Sequence, residues 1–95
     1  MRIKQEIVDF TLAYVKNNFT GAKVYLFGSR TDDNKKGGDI DILILSKERL
    51  SISDLSKLRI ELYKKIGEQK IDLVNYTFND KNPFKDIVLE FAVEL

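Results

Sequence analysis

Two aspartates spaced two residues apart, Asp39 and Asp41, are the residues of this 95-residue sequence best suited to chemistry. They open an apolar run, Ile42 to Leu45, that predicts a β-strand. Because side chains alternate along a strand, both carboxylates project from one face. At ~4 Å and an effective dielectric constant of ~20, two such charges repel by about 4 kcal/mol. A divalent cation removes that repulsion, so the pair is typical of a magnesium site that also takes phosphate oxygens.

Gly28 and Ser29 offer groups that could hold the phosphate. They follow a β-rich segment, Lys23 to Phe27, which predicts another strand. A glycine at a strand end lets the backbone approach a ligand, and the serine hydroxyl and the next N–H groups can donate to phosphate oxygens. Anion donors beside a dication site predict phosphate transfer, in which two metal ions would stabilise an in-line displacement.

Asp72 is a third candidate, within a predicted strand from Lys70 to Tyr76. A charge between apolar neighbours is costly unless it is paired or bound to a metal. If this strand lies beside the strand of Asp39 and Asp41, Asp72 joins their face and can take a proton from an acceptor hydroxyl. The sequence has no histidine and no cysteine, so acid–base and metal chemistry must use carboxylates and other oxygen ligands.

Composition excludes several other classes of function. Residues 1–95, with 43% hydrophobic and 33% charged side chains, predict a single soluble domain. A net charge of +1 excludes a strongly basic clamp, so direct binding of nucleic acid is not expected. No apolar run approaches the ~18 residues of a membrane span, and the N-terminus lacks a signal-peptide pattern. We therefore expect a cytoplasmic protein without membrane contact.

The elements that must position these residues follow the order α-β-β-α-β-α. This order predicts an α+β fold in which helices pack on a small mixed sheet. The middle helix should begin at Ser51 or Ser53, and Asn82 followed by Pro83 predicts the start of the last helix. Apolar spacing predicts a middle-helix core stripe of Leu55, Leu58, Leu62 and Ile66, and a last-helix core stripe of Phe84, Ile87, Val88, Phe91, Ala92 and Leu95.

The first predicted helix, Ile3 to Phe19, carries apolar residues on two sides. Two interpretations of the second side stay open: it is ordinary core, or it is a surface for a partner. In the second case Leu89 and Val93 of the last helix would extend that surface. The residues concerned on the first helix are Val8, Leu12, Val15 and Phe19.

The spacing of Gly28-Ser29, nine further residues and then Asp39-Ile40-Asp41 resembles the signature of the DNA polymerase β-like nucleotidyltransferase superfamily. Gly28-Ser29-Arg30 resembles the form found in its smallest members, the minimal nucleotidyltransferases. The signature covers residues 27–42, and Asp72 with the order of elements extends the resemblance to about residues 5–76. Two positions depart from the common pattern, since Asp33 replaces a frequent glycine and Gly38 a frequent serine.

The resemblance implies a polymerase β-like fold and a Mg²⁺-dependent enzyme that moves a nucleoside monophosphate, AMP from ATP, to a hydroxyl on a partner. It implies that Gly28, Ser29 and Arg30 bind the nucleotide. It also implies that three catalytic carboxylates, Asp39, Asp41 and Asp72, hold two metal ions. Asp72 would be the ligand shared by both ions and also the base.

A chain of 95 residues leaves no room for a second domain that reads the acceptor, so we expect another chain to supply that recognition. Minimal nucleotidyltransferases are commonly paired with a small helical protein of the HEPN type and serve as the antitoxin of a toxin–antitoxin pair. For this chain both a homo-oligomer and a hetero-oligomer stay open. The resemblance implies that role here. Two alternatives stay open: a non-catalytic binding module that neutralises or accompanies such a partner, and a small-molecule (antibiotic) nucleotidyltransferase.

Overall fold

Helices and short strands make up most of the chain that this computed structural model describes, residues 4–28, 39–67 and 70–95. The predicted order of helices and strands is confirmed, and one further short strand follows the last helix. The elements are α1 Gln5–Asn18, β1 Lys23–Phe27, β2 Ile40–Ser46, α2 Ile52–Ile66, β3 Ile71–Thr77, α3 Pro83–Phe91 and β4 Val93–Glu94. None of the helices in the described ranges has both the length and the apolar character needed to span a bilayer.

The four strands form one mixed sheet in the order β3-β2-β1-β4. β1 runs antiparallel to both β2 and β4. β2 and β3 run parallel, and α2 makes the crossover that a parallel pair requires. The small mixed sheet that the sequence predicted is therefore confirmed, with β2 as a central strand.

Both faces of β2 are covered. Ile40, Ile42 and Ile44 pack with residues of α1 and α2 on one face, whereas Leu43 and Leu45 pack with Val88 of α3 on the other. Because neither face of the strand meets water, its residues read as a continuous apolar run instead of an alternating one. Polar side chains that could do chemistry must therefore lie at an end of this strand, and Asp39 and Asp41 stand at its beginning.

The starts of α2 and α3 are set by side-chain caps: Ser51, one of the two serines that the sequence left open, and the predicted Asn82. Ser51 Oγ accepts from the backbone N–H of Asp54 at 3.0 Å, and the Asp54 carboxylate accepts from the N–H of Ser51 at 3.2 Å. Asn82 Oδ1 accepts from the N–H of Phe84 at 2.8 Å, with Pro83 in the first turn. Such caps satisfy N–H groups that the helix itself leaves without partners.

The end of α3 differs from the prediction. The helix stops at Phe91, and Val93–Glu94 pairs antiparallel with β1 instead of continuing the helix to Leu95. The N–H of Leu95 donates to the carbonyl of Val24 at 2.9 Å. The outer edge of β1 offers backbone groups that need partners, and the β-branched Val93 suits a strand better than a helix.

The predicted core stripe of α3 was wrong for its largest members. Phe84, Ile87 and Phe91 are 48%, 58% and 72% exposed, whereas Val88 is buried. The helix is turned by the buried Lys85, whose ammonium donates to the carbonyls of Phe78 and Asp80 at 2.9 and 3.0 Å. A lysine can bury its alkyl stem and keep its charge hydrogen-bonded, which periodicity of apolar residues does not reveal.

The second apolar side of α1 is ordinary core. Val8 and Val15 are buried, and Leu12 and Phe19 pack against the core cluster. Leu89 likewise packs beside Leu43 and Leu45. The interpretation of these residues as a partner surface was therefore wrong. Val93, the remaining residue of that interpretation, is 40% exposed.

Candidate active site

Asp41 and Asp72 are brought side by side by the register of the parallel strands. In this register Asp41 pairs with Asp72, one residue beyond the pair of Ile40 and Ile71. Paired residues of neighbouring strands project from the same face of the sheet. The expectation that the strand of Asp72 lies beside the strand of Asp41 is thus confirmed.

The pair is electrostatically strained. Burial raises the pKa of Asp41 to about 6, and a hydrogen bond to Asp72 together with repulsion from the Asp72 and Asp39 charges acts in the same direction. The Lys70 ammonium opposes these effects. Two carboxylates this close cannot both ionise without cost, so below pH 6 Asp41 holds a proton and donates it to Asp72 in a hydrogen bond.

Asp39 forms an ion pair with Lys70. Its Oδ2 lies 3.6 Å from Nζ of Lys70, and the carbonyl of Lys70 accepts from the N–H of Ile40 at 3.1 Å. Across the three described segments, no three acidic side chains are arranged as they stand to ligate one ion. Asp41 and Asp72 therefore face each other, while Asp39 beside them faces Lys70.

Gly28 lies against the carboxylate of Asp41. Its φ of +76° is one that side-chain-bearing residues rarely adopt, and a Cβ built there would overlap Oδ2 of Asp41. The backbone leaving β1 thus passes within contact distance of Asp41. Ser29 and Arg30 lie outside the described residues, so their contacts with a nucleotide stay predictions.

The donor set suits a hard divalent cation. Carboxylate oxygens are the ligands that Mg²⁺ prefers, and such an ion would remove the repulsion that raises the pKa of Asp41. Gly28 adds a close approach of backbone that a larger residue would block. The residues therefore fit a metal-assisted reaction on a phosphate group.

Lys70 is the site residue that sequence reasoning missed. It stands two residues before Asp72, so alternation along a strand would place both on one face. Its proximity to Asp39 depends on the strand register, which the spacing of apolar residues alone does not determine.

Comparison with known proteins assigns the family. Residues 11–94 match the profile of the family described as "Polymerase beta, Nucleotidyltransferase". The chain belongs to that family. This nucleotidyltransferase is 33% identical over 96 residues to a Methanocaldococcus jannaschii protein whose name gives it a provisional protein adenylyltransferase activity. The match covers 98% of this chain and 94% of that protein.

Solved structures share the fold of the nucleotidyltransferase. One is a tri-AMPylated HEPN toxin of Shewanella oneidensis in complex with its MNT antitoxin, with a TM-score of 0.70 and 20% identity over 97% of this chain and 71% of that one. Another is a toxin–antitoxin structure with AMP-PNP, with a TM-score of 0.74 and 19% identity over 97% of this chain and 72% of that one. Together they confirm the predicted polymerase β-like fold.

If Asp41 is a metal ligand, we expect the metal affinity of this nucleotidyltransferase to fall as the pH drops through about 6, because protonation would remove that ligand. Calorimetric titration of the protein with Mn²⁺ from pH 5 to 8 measures this directly. In carboxyl ¹³C NMR of the metal-free protein, Asp72→Asn should lower the pKa of Asp41 and Lys70→Gln should raise it. A Mn²⁺ affinity that stays constant from pH 5 to 8 would contradict a role of Asp41 as a metal ligand.

Proposed function

We propose that this nucleotidyltransferase moves AMP from magnesium-bound ATP to a hydroxyl group on a partner protein in the cytoplasm. The observation that carries the proposal is the register that sets Asp41 against Asp72 beside the Gly28 turn. The provisional protein adenylyltransferase name of the M. jannaschii relative supports the choice of donor and acceptor. The solved complexes with an AMPylated toxin and with AMP-PNP support it further.

In this proposal the three carboxylates hold the metal together, and Asp72 also acts as the base. Asp41 and Asp72 would hold Mg²⁺ with Asp39, once Asp39 leaves Lys70, and a second ion would be shared with the triphosphate. When bound, the metal would neutralise charge on the reacting phosphate. Asp72 accepts the proton of the acceptor hydroxyl, whose oxygen forms the new bond to the α-phosphorus. The bond from that phosphorus to the β-phosphate oxygen breaks, and pyrophosphate leaves with the electron pair.

The nucleotide would enter beside Gly28. The backbone of Gly28 lies against Asp41, so a triphosphate bound there would be close to the carboxylates proposed to hold the metal. In this proposal Ser29 donates to phosphate oxygens and Arg30 contacts the phosphate chain, as the resemblance implied. Positioning of the two reactants in this way supplies much of the rate, because it replaces a bimolecular encounter.

The partner we propose is a helical protein of the HEPN type, toward which this chain acts as the antitoxin. An exposed apolar strip supports the proposal: Phe84, Ile87 and Phe91 recur at helical spacing on the outer side of α3 and are hereafter the α3 stripe. The exposed Asp86 and Glu90 border it, while the single lysine of the helix is buried. A complementary partner offers apolar residues bordered by Lys or Arg, whereas a second copy would set carboxylates beside carboxylates.

Ile87→Asp is expected to weaken association with that partner at least about tenfold, because it places a charge in the centre of the α3 stripe. Ile60→Asp is a matched control, since Ile60 is exposed to 53% on α2 compared with 58% for Ile87. Association is measured by surface plasmon resonance with the product of the adjacent gene, and melting temperatures check the fold. Equal loss in both variants, or loss in neither, would place the partner elsewhere.

Mass spectrometry of the co-expressed partner tests the function itself. The wild-type chain is expected to add the mass of one or more adenylyl groups to a partner side chain, and a chain with Asp39→Asn and Asp41→Asn is expected to add none. If the double variant still neutralises the partner, the chain acts as a binding module. If wild-type protein modifies a small molecule such as an antibiotic and leaves the partner unchanged, the proposed acceptor is wrong.

A further inference from the structure

Lys70 occupies a defined place at the edge of the carboxylate cluster. It immediately precedes β3, and its carbonyl is held by the N–H of Ile40 at 3.1 Å. Since Ile71 pairs with Ile40, Lys70 stands in line with Asp39, and its Nζ lies 3.6 Å from Oδ2 of that residue. The position of its backbone is thus fixed, while its long side chain remains 67% exposed.

The ion pair with Asp39 is easily exchanged. The side chain of Lys70 is 67% exposed and that of Asp39 is 45% exposed. Exposed pairs of this kind gain little, because water screens the charges and two flexible side chains must be held in place. Breaking the ion pair to release Asp39 should therefore weaken the binding of a metal ion to that carboxylate by a few-fold at most.

We propose that Lys70 is a resident counter-cation of the site, which neutralises Asp39 before metal binding, yields that carboxylate to the divalent ion and then pairs with the triphosphate. The proposal rests on the nucleotidyl transfer proposed above and assigns this residue a role within it. Three clustered carboxylates with one ammonium leave a net charge of about −2, which the divalent ion cancels. A triphosphate, with charge near −4, then becomes the preferred anion for the released ammonium.

This role predicts effects of opposite sign from one substitution. In Lys70→Gln, Mn²⁺ alone should bind about two- to fivefold more tightly, because its competitor for Asp39 is gone. The same variant should bind the magnesium complex of α,β-methylene-ATP, an analogue whose α–β bridge resists transfer, about tenfold more weakly, because a charged contact is lost. Lys70→Arg keeps the charge and should stay close to wild type in both.

Calorimetry with these two probes on the full chain is the test, and Lys47→Gln is the control matched in charge. Lys47 is exposed and follows the opposite end of β2, about 25 Å from Asp39 along the strand. The proposal is supported if Lys70→Gln binds Mn²⁺ more tightly and the nucleotide analogue more weakly, and if Lys47→Gln changes neither affinity. Weaker binding of both probes would show a structural role, and unchanged binding would show a bystander; either result overturns it. If wild-type protein binds neither probe, the proposed function itself fails.

Discussion

Asp41→Asn is expected to abolish nucleotidyl transfer and, at the same time, to raise the melting temperature of the metal-free protein at pH 7.5. The carboxylate of Asp41 lies against Asp72 and near Asp39, and burial with their repulsion raises its pKa to about 6. Asn keeps the shape and the hydrogen bond to Asp72 but removes the charge. The loss of a proposed metal ligand should lower the transfer rate by roughly a thousandfold or more.

The pH dependence gives the sign of the stability effect. Because the pKa of Asp41 is higher in the folded chain than the value of 3.8 expected after unfolding, the folded state binds the proton more tightly. Stability from this group is full below pH 4, decreases as the pH rises, and is lost above about 6. Asn removes that loss, which is about 1 kcal/mol after solvent screening, or a few degrees in melting temperature for a chain of this size.

Thermal unfolding from pH 4 to pH 8 without divalent ions measures this effect. The difference between Asp41→Asn and wild type should be near zero at the acid end and should grow toward neutral pH. Asp9→Asn is the control, because Asp9 is exposed on α1, where its carboxylate accepts from the Gln5 amide at 2.9 Å. A variant that loses transfer and is also less stable at pH 7.5 would show that Asp41 supports the fold instead of straining it.

Alternation along strands predicted much of the site. It placed Asp39 and Asp41 on one face, and the apolar residues around Asp72 predicted a third strand whose register then brought Asp72 beside Asp41. These are local rules, because the direction of a side chain in a strand follows from its position in the sequence. Asp39, Asp41 and Asp72 could therefore be found from the sequence, whereas Lys70 was missed because its pairing with Asp39 depends on the strand register.

The residues that it misplaced depend on contacts distant in sequence. The direction in which α3 faces follows from Lys85 reaching back to the carbonyls of Phe78 and Asp80. The pairing of Val93 with Leu26 at the sheet edge joins residues more than 60 positions apart. An apolar helix face looks the same in sequence whether it packs on the sheet or awaits another chain, so periodicity alone could not distinguish these cases.

Gly28→Ala is expected to reduce nucleotidyl transfer by roughly a hundredfold or more, even though the added group is a single methyl. The new Cβ would overlap Oδ2 of Asp41, and relief of that overlap must move either the carboxylate or the backbone that leaves β1. Displacement of a reacting group by about 1 Å is enough for a loss of this size. Mn²⁺ affinity should fall with it, because the displaced oxygen belongs to a proposed metal ligand.

Gly67→Ala separates this overlap from the cost of the backbone conformation. Gly67 also has a positive φ, +89° compared with +76° at Gly28, but a Cβ there would meet nothing within 4 Å. Both variants should lose about 1–3 kcal/mol of unfolding free energy from strain, as measured by urea denaturation. Only Gly28→Ala should lose transfer and Mn²⁺ binding. If the folded fraction of each retains wild-type Mn²⁺ affinity, the contact between Gly28 and Asp41 has no part in the chemistry, and the small residue serves the turn alone.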